Sequence, residues 1–409
     1  VSARSCCRPS GLRWAATMTA PSVHGALLVT QLCWGSAAIV NKLGLSGAGI
    51  SPLLFALIRE VSATPILLVL LVIGRRQARK SPKSVSQTFE EKQDTDGDHS
   101  YQRLALRILP GFFIFVDQLC SLTGVTLADG VTGAAWQPSQ VVFTLIISVC
   151  LGMESLTVWK VASMLLTVSG ALCLVFFGHH EEQGAELASS INATDFTNAT
   201  AKEEVAEQQD YFFVGQLFFF FNCLASSLEV IVWRKLLSQS KEQEGSHFAV
   251  MAESYLVAAV FMILANVFVG FVPSVIDFVC PKCNGDPWHV PPSALYAIAF
   301  SVVFQTIVAY CAQAWALRYA PASLASLYAT AQPIMAALVT CTFLLVGFNP
   351  SDLLHWPGRE NIGAAFIIAG LLVAEYGSRQ TLTKDRVELA SSEEDDLSLE
   401  VESEFSQTS

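Results

Sequence analysis

Charge is what this sequence has least of. Of 409 residues, 14% are charged and 52% hydrophobic, where an ordinary soluble domain carries about a quarter charged residues. A large soluble core does not explain the deficit, because the charges cluster and leave long stretches almost free of them. No basic patch with interleaved aromatics is present, which argues against a nucleic-acid partner. No P-loop, Gly-rich dinucleotide turn or nucleophile elbow occurs, so an ATP-driven pump is disfavoured and no cofactor is expected. Metal ligands are sparse as well. Cys280-Pro281-Lys282-Cys283 has only His289 nearby, short of the second ligand pair a zinc knuckle needs. The alternating polarity of a transmembrane barrel is also missing.

What is present is a series of continuous apolar runs. About 20 such residues cross a ~30 Å hydrocarbon core as a helix, and helices satisfy their own backbone inside lipid. The fold class read from the sequence is therefore an all-α membrane protein with ten transmembrane helices. The runs fall at 23–43, 52–74, 104–126, 130–151 and 157–178, then at 211–236, 247–272, 292–318, 321–347 and 358–377. The domains follow as an N-terminal cytoplasmic segment 1–22, a first five-helix repeat 23–178, an acidic extracytoplasmic loop 179–210, a second five-helix repeat 211–377 and a disordered acidic cytoplasmic tail 378–409. The chain opens on Val1 and its first methionine is Met18, so residues 1–17 are read as upstream translation or an incomplete start. They hold Arg4, Arg8 and Arg13 but no apolar core, which is not the pattern of a signal peptide.

Basic loops set the orientation. Arg75, Arg76, Arg79, Lys80, Lys160, Arg234, Lys235 and Arg318 lie on one side, with Arg379, Lys384 and Arg386 in the tail. The other side holds Lys202, Lys282 and Arg359. Both termini are thus expected in the cytoplasm. Two N-glycosylation acceptors, Asn192-Ala193-Thr194 and Asn198-Ala199-Thr200, fall in the central loop assigned outside. Cys280 and Cys283 lie in another outer loop, where a disulfide is permitted.

The chain repeats itself. Gln137-Pro138 returns as Gln332-Pro333, and Gly152 returns as Gly347. Gly170 pairs with Gly370, Ile39-Val40-Asn41-Lys42 with Ile231-Val232-Trp233-Arg234, and Phe55-Ala56 and Glu60 with Phe248-Ala249 and Glu253. Five collinear matches are hard to obtain by chance. Each half has an odd number of helices, so the second half must enter the membrane from the opposite side. That is the inverted repeat of many secondary transporters, with the substrate between the halves near the midplane.

Polar side chains inside the bilayer are functional candidates by default. Asp117 is the first: burial disfavours the ionised form of a lone carboxylate, which suits it to carry a proton or grip a substrate amine. Its structural alternative is a pair with Arg59. Glu60 is a second proton-coupling candidate, although Arg59, Glu60, Glu253, Glu229 and Arg234 read first as internal ion pairs; Arg59 could instead meet a substrate carboxylate. Gln137 and Gln332 offer both donors and acceptors beside Pro138 and Pro333, which are read as kinks within their helices. Gln118, Tyr310 and Gln313, the last two on a polar stripe with Gln305, complete the substrate-binding candidates, together with Trp136. Trp136 and Trp315 could stack on a flat substrate.

Several of these residues carry a resemblance. His24-Gly25-Ala26, Gln31-Leu32, Asn41-Lys42-Leu43-Gly44-Leu45, Phe55-Ala56-Leu57-Ile58-Arg59-Glu60, Gln118-Leu119, Ala134-Ala135-Trp136-Gln137-Pro138-Ser139 and Gly152-Met153-Glu154-Ser155 resemble plant-type drug/metabolite exporters. This is the walls-are-thin-related group in the EamA branch of the drug/metabolite transporter superfamily. The resemblance implies a ten-helix carrier of amino acids, auxin-like indoles or other small organic metabolites, in a plasma or vacuolar membrane. Asp117 departs from the family pattern, which has Asn before the Gln. The competing readings are a nucleotide-sugar or sugar-phosphate exchanger and a non-transporting receptor or scaffold. The first would need midplane cations that the later helices lack; the second leaves the duplication unused. An intramembrane enzyme would need paired carboxylates or a His cluster at one depth. The expected partners are a small-molecule substrate and the lipid bilayer, with homodimerisation open.

Overall fold

The computed structural model describes residues 21–45, 50–80, 97–127, 130–173, 200–239, 246–272, 275, 288–347, 356, 362–377 and 379–380. Among them the regular structure is helical, with no strand. The helices are α1 (Pro21–Leu45), α2 (Pro52–Lys80), α3 (Gly97–Leu127), α4 (Gly130–Cys150), α5 (Val158–Cys173), α6 (Thr200–Gln239) and α7 (Ser246–Phe271). They continue with α8 (Leu295–Leu317), α9 (Ala322–Ala329), α10 (Gln332–Leu345) and α11 (Ile362–Gly377).

Among the described residues seven spans are long and apolar enough to cross a membrane, α9 and α10 together forming one of them. Shorter apolar helices lie at Trp136–Cys150, Val158–Cys173 and Ile362–Gly377. The sides turned away from the bundle are apolar: Val69, Leu264, Phe268 and Leu372 are all exposed. Apolar surface on this scale is unlike that of a soluble monomer.

Inward faces repeat at helical spacing. In α7, Met251, Tyr255, Ala258, Met262 and Asn266 are buried, and in α1 Val23, Leu27, Thr30 and Ala37. α1 packs on α8 and α10, while α6 packs on α3 and α4. α2 lies against α7, and α4 meets α9. Small residues allow the closest crossings. A Cβ on Gly170 of α5 would lie 2.6 Å from the carbonyl oxygen of Gly363 in α11, and one on Gly370 would lie 3.0 Å from the carbonyl oxygen of Ser163. The helix-ending glycines also match: Gly152 and Gly347 have φ of 64° and 77°, the left-handed C-terminal cap that glycine adopts without strain.

Two helices depart from the expected continuity. The run 292–318 is not one regular helix, because Ser301–Val308 forms a π-helix within it. The run 321–347 is broken at Thr330 and Ala331, where each N–H donates to the carbonyl three residues back. Pro333 explains the break, since its ring collides with the carbonyl four residues earlier and offers no N–H. Pro333 therefore opens α10 instead of kinking a continuous helix, whereas Pro138 stays inside α4.

One end of the bundle gathers polar groups from many helix termini. Glu154, after α4, lies 2.8 Å from Lys160 and accepts from both the backbone N–H and the hydroxyl of Ser323 at the start of α9. Arg234 donates to the carbonyls of Leu317 and Arg318 at 2.6 and 2.9 Å. His24 of α1 meets the Tyr328 hydroxyl at 2.7 Å and Glu375 at 2.9 Å, and Glu375 also pairs with Arg379.

Candidate functional site

The bundle interior holds a polar cluster built by four helices. α3 contributes Asp117 and Gln118 and α2 contributes Arg59 and Glu60. α6 presents Asn222, Ser226, Glu229 and Trp233 at spacings of four, three and four, so they share one face. α7 supplies Tyr255. Asp117, Arg59, Glu60, Asn222 and Glu229 are all at least nine-tenths buried.

Asp117 is held from two sides. The Asn222 amide donates to its backbone carbonyl at 3.0 Å and to Oδ1 at 2.8 Å. Gln118 Nε2 donates to Oδ2 at 3.1 Å, and Arg59 Nη2 donates to Gln118 Oε1 at 2.5 Å. Arg59 thus reaches Asp117 through the Gln118 amide and not as a direct pair. The same guanidinium stands 3.8 Å from Glu60 Oε1, whose carboxylate oxygens have no hydrogen-bond donor. Oε1 of Glu229 also has none. Three carboxylates therefore share the interior with one guanidinium, in surroundings where unpaired charge is costly.

An aromatic group borders the cluster. Tyr310 of α8 is met edge-on by Trp34, Trp233 and Tyr255 at centroid distances of 5.4, 5.8 and 5.3 Å. Gln313, one turn on, is buried with Oε1 unpartnered. Gln305 sits in the π-helical stretch and accepts from Asn41 at 3.4 Å.

The sequence candidates fall into two groups. Asp117, Gln118, Arg59 and Glu60 come together, with Tyr310 and Gln313 nearby on α8. Trp136 instead donates its indole N–H to Gln216 and packs on Phe220, both on α6, a helix-packing role. Gln137 and Gln332 are half-buried, and the Gln332 carbonyl presses against Gly35 of α1. Among the described contacts none joins Gln137 to Gln332. Trp315 packs edge-on against Tyr319. Asn192, Asn198, Cys280 and Cys283 lie outside the described residues.

Of the internal ion pairs expected for Glu229 and Glu253, that of Glu229 is not formed and that of Glu253 joins it to Arg107 of α3. Glu229 does not serve Arg234, which spends its donors on backbone carbonyls; Glu229 turns to the central cluster instead. Glu253, the sequence mate of Glu60, is partly exposed and lies 4.0 Å from Arg107. Asn222 and Tyr255 were not singled out from sequence. Asn222 had a signal, an amide directly after the run Phe218-Phe219-Phe220-Phe221. Tyr255 had none, being one aromatic among many.

A cleft lies between α4, α5, α9 and α11, lined by Lys160, Ser163, Ser323, Leu324 and Ala374 among others. It sits at the polar end, holds none of the candidate residues and is mostly apolar, so the buried cluster is the better site.

Residues 22–176, which span α1 to α5, match the EamA-like transporter family. A solved crystal structure aligns with a TM-score of 0.57 at 16% identity, covering 88% of this chain and 98% of its own. That likeness concerns the fold alone. The match over residues 22–176 supports the drug/metabolite exporter superfamily, and together with the seven apolar spans among the described residues it supports an integral, multi-pass membrane protein.

Proposed function

We propose that the chain is a secondary carrier of small organic metabolites, amino acids or auxin-like indoles, working by alternating access with a proton coupled at Asp117. The observation that carries this reading is the buried cluster itself, a carboxylate held by Asn222 and Gln118 beside Arg59 and Glu60, whose oxygens accept no hydrogen bond. Buried ionisable groups inside a membrane bundle mark substrate and ion pathways. The ten-helix, inverted-repeat arrangement belongs to the same proposal. It is supported by the recurring glycines and by the way α1 lies on α8 and α10 much as α6 lies on α3 and α4. Orientation with both termini inside, glycans on Asn192 and Asn198, a Cys280–Cys283 disulfide and a plasma or vacuolar membrane remain parts of this reading.

A phosphorylated substrate is disfavoured on chemical grounds, since three carboxylates against one guanidinium repel a phosphate. The test is uptake of labelled amino acids and indoles into liposomes holding the purified protein, with and without an inward proton gradient. Gradient-stimulated uptake that Asp117→Asn abolishes is expected. Asp117→Asn with the wild-type rate and pH profile refutes the coupling role, and no uptake of any solute by correctly inserted protein refutes the carrier.

A further inference from the structure

The carrier reading makes no use of the cleft between α4, α5, α9 and α11. Its walls come from both halves of the chain, α4 and α5 from the first and α9 and α11 from the second. Its polar groups, Thr157, Lys160 and Ser323, belong to the first turns of α5 and α9. Further along the same helices the lining is apolar, with Val141, Leu145, Met164 and Leu327. Val141, Leu145 and Leu327 are all more than nine-tenths buried. The cleft thus has a polar mouth at the end of the bundle and an apolar floor within it, the two parts that an amphiphile would cover.

The mouth favours an anion. An ammonium group has three N–H donors. That of Lys160 gives one to Glu154 at 2.8 Å and one to the Ser155 carbonyl at 3.1 Å. The side chain is 30% exposed, so a third N–H is available to an incoming acceptor. α5 and α9 both begin at the mouth, and the first turn of a helix carries partial positive charge. The same end of the bundle holds Arg234 and Arg379 beside Lys160, against Glu154 and Glu375. Trp159, next to Lys160, is 42% exposed and meets Tyr376 of α11 edge-on. Half-exposed Trp and Tyr are typical of the level at which lipid headgroups lie.

The apolar floor decides between the anions. A small polar metabolite would set its own polar groups against Val141, Leu145 and Leu327, and that burial is costly. A free inorganic anion would leave those side chains uncovered. A phospholipid satisfies both parts at once. We infer that the cleft binds one anionic phospholipid of the surrounding leaflet. Its phosphate lies on Lys160 and the starts of α5 and α9, and the upper part of one acyl chain lies against Val141, Leu145 and Leu327. Such a lipid touches both halves of the chain, so its binding stabilises their association at this end. The inference is independent of what the carrier moves.

The test titrates the purified full chain, stripped of lipid in detergent, with three probes. These are phosphatidylglycerol, phosphatidylcholine with the same acyl chains, and glycerol phosphate, which has the anionic head without the tails. Bound molecules are counted by native mass spectrometry, and stability is followed by thermal unfolding. One phosphatidylglycerol per chain should bind about fivefold more tightly than phosphatidylcholine, the size of one surface cation acting on an anionic lipid. It should also raise the melting temperature. Lys160→Ala should bring the two lipids within about twofold of each other, and Lys160→Arg should restore most of the preference. Equal affinity for the two lipids overturns the proposal, as does binding that does not saturate near one per chain. Glycerol phosphate binding as tightly as phosphatidylglycerol assigns the mouth to a free phosphate and also overturns it. These arms need only the wild-type protein. A preference unchanged in Lys160→Ala places the lipid elsewhere and overturns the site. No arm depends on transport, so failure of the carrier reading and failure of this one are separate results.

Discussion

Removing the side chain of Glu154 tests whether one carboxylate fastens the two halves of the chain at the polar end. α9 has no side-chain cap of its own, because Pro321 occupies its N-cap. Glu154 supplies the missing acceptor from 169 residues away, taking the Ser323 N–H at 3.1 Å and the Ser323 hydroxyl. Loss of a helix cap costs about 1 kcal/mol. The hydroxyl bond to a charged acceptor is worth about 1.5–3 kcal/mol. The Lys160 pair adds little, about 0–1 kcal/mol, because Lys160 is 30% exposed and can return to water. Glu154→Ala should therefore destabilise the protein by about 2.5–5 kcal/mol, read by unfolding in mixed micelles with increasing SDS. Glu154→Gln keeps one acceptor oxygen and should lose roughly half as much. Lys160→Ala should lose less than about 1 kcal/mol. An alanine variant within about 0.5 kcal/mol of wild type would refute the capping argument.

Three further outcomes are expected. Gly111→Leu should cut the yield of folded protein sharply, measured by size exclusion in detergent, because even a Cβ there runs into the Ser254 carbonyl and Val257 of α7. Asn222→Leu removes the amide that donates twice to Asp117 and should cost about 1.5–3 kcal/mol together with most gradient-driven uptake; wild-type uptake would dissociate Asn222 from the site. Asn192→Gln and Asn198→Gln should each remove one glycosidase-sensitive mobility step from protein made in a glycosylating host, and no shift in either would refute glycosylation of the central loop.

The apolar runs made the helices legible, because a 20-residue charge-free stretch has few other structures open to it. Arg59, Glu60, Asp117 and Gln118 were legible for the same reason, since a polar residue stands out against such a background. Partner choice was not. Glu229 and Arg234 are near one another along α6, yet Arg234 finds carbonyls at the end of α8 and Glu229 finds the interior. Sequence separation measures neighbours on one helix and carries no information about the helix opposite. The two Gln-Pro motifs show the same limit. Their identity predicted equal kinks, but α4 carries Pro138 through while Pro333 begins a new helix after a two-residue break. Local chemistry permits both outcomes, and packing selects one.

The crossing of α5 and α11 has a practical consequence. Where glycine lets each helix rest directly on the other's backbone, no layer of flexible side chains lies between them to re-sort. Such a seam does not slide by small steps, so the two helices are expected to keep one spacing in any rearrangement of the bundle. Spin labels placed across it would give the constant distance against which movement elsewhere in the molecule is measured.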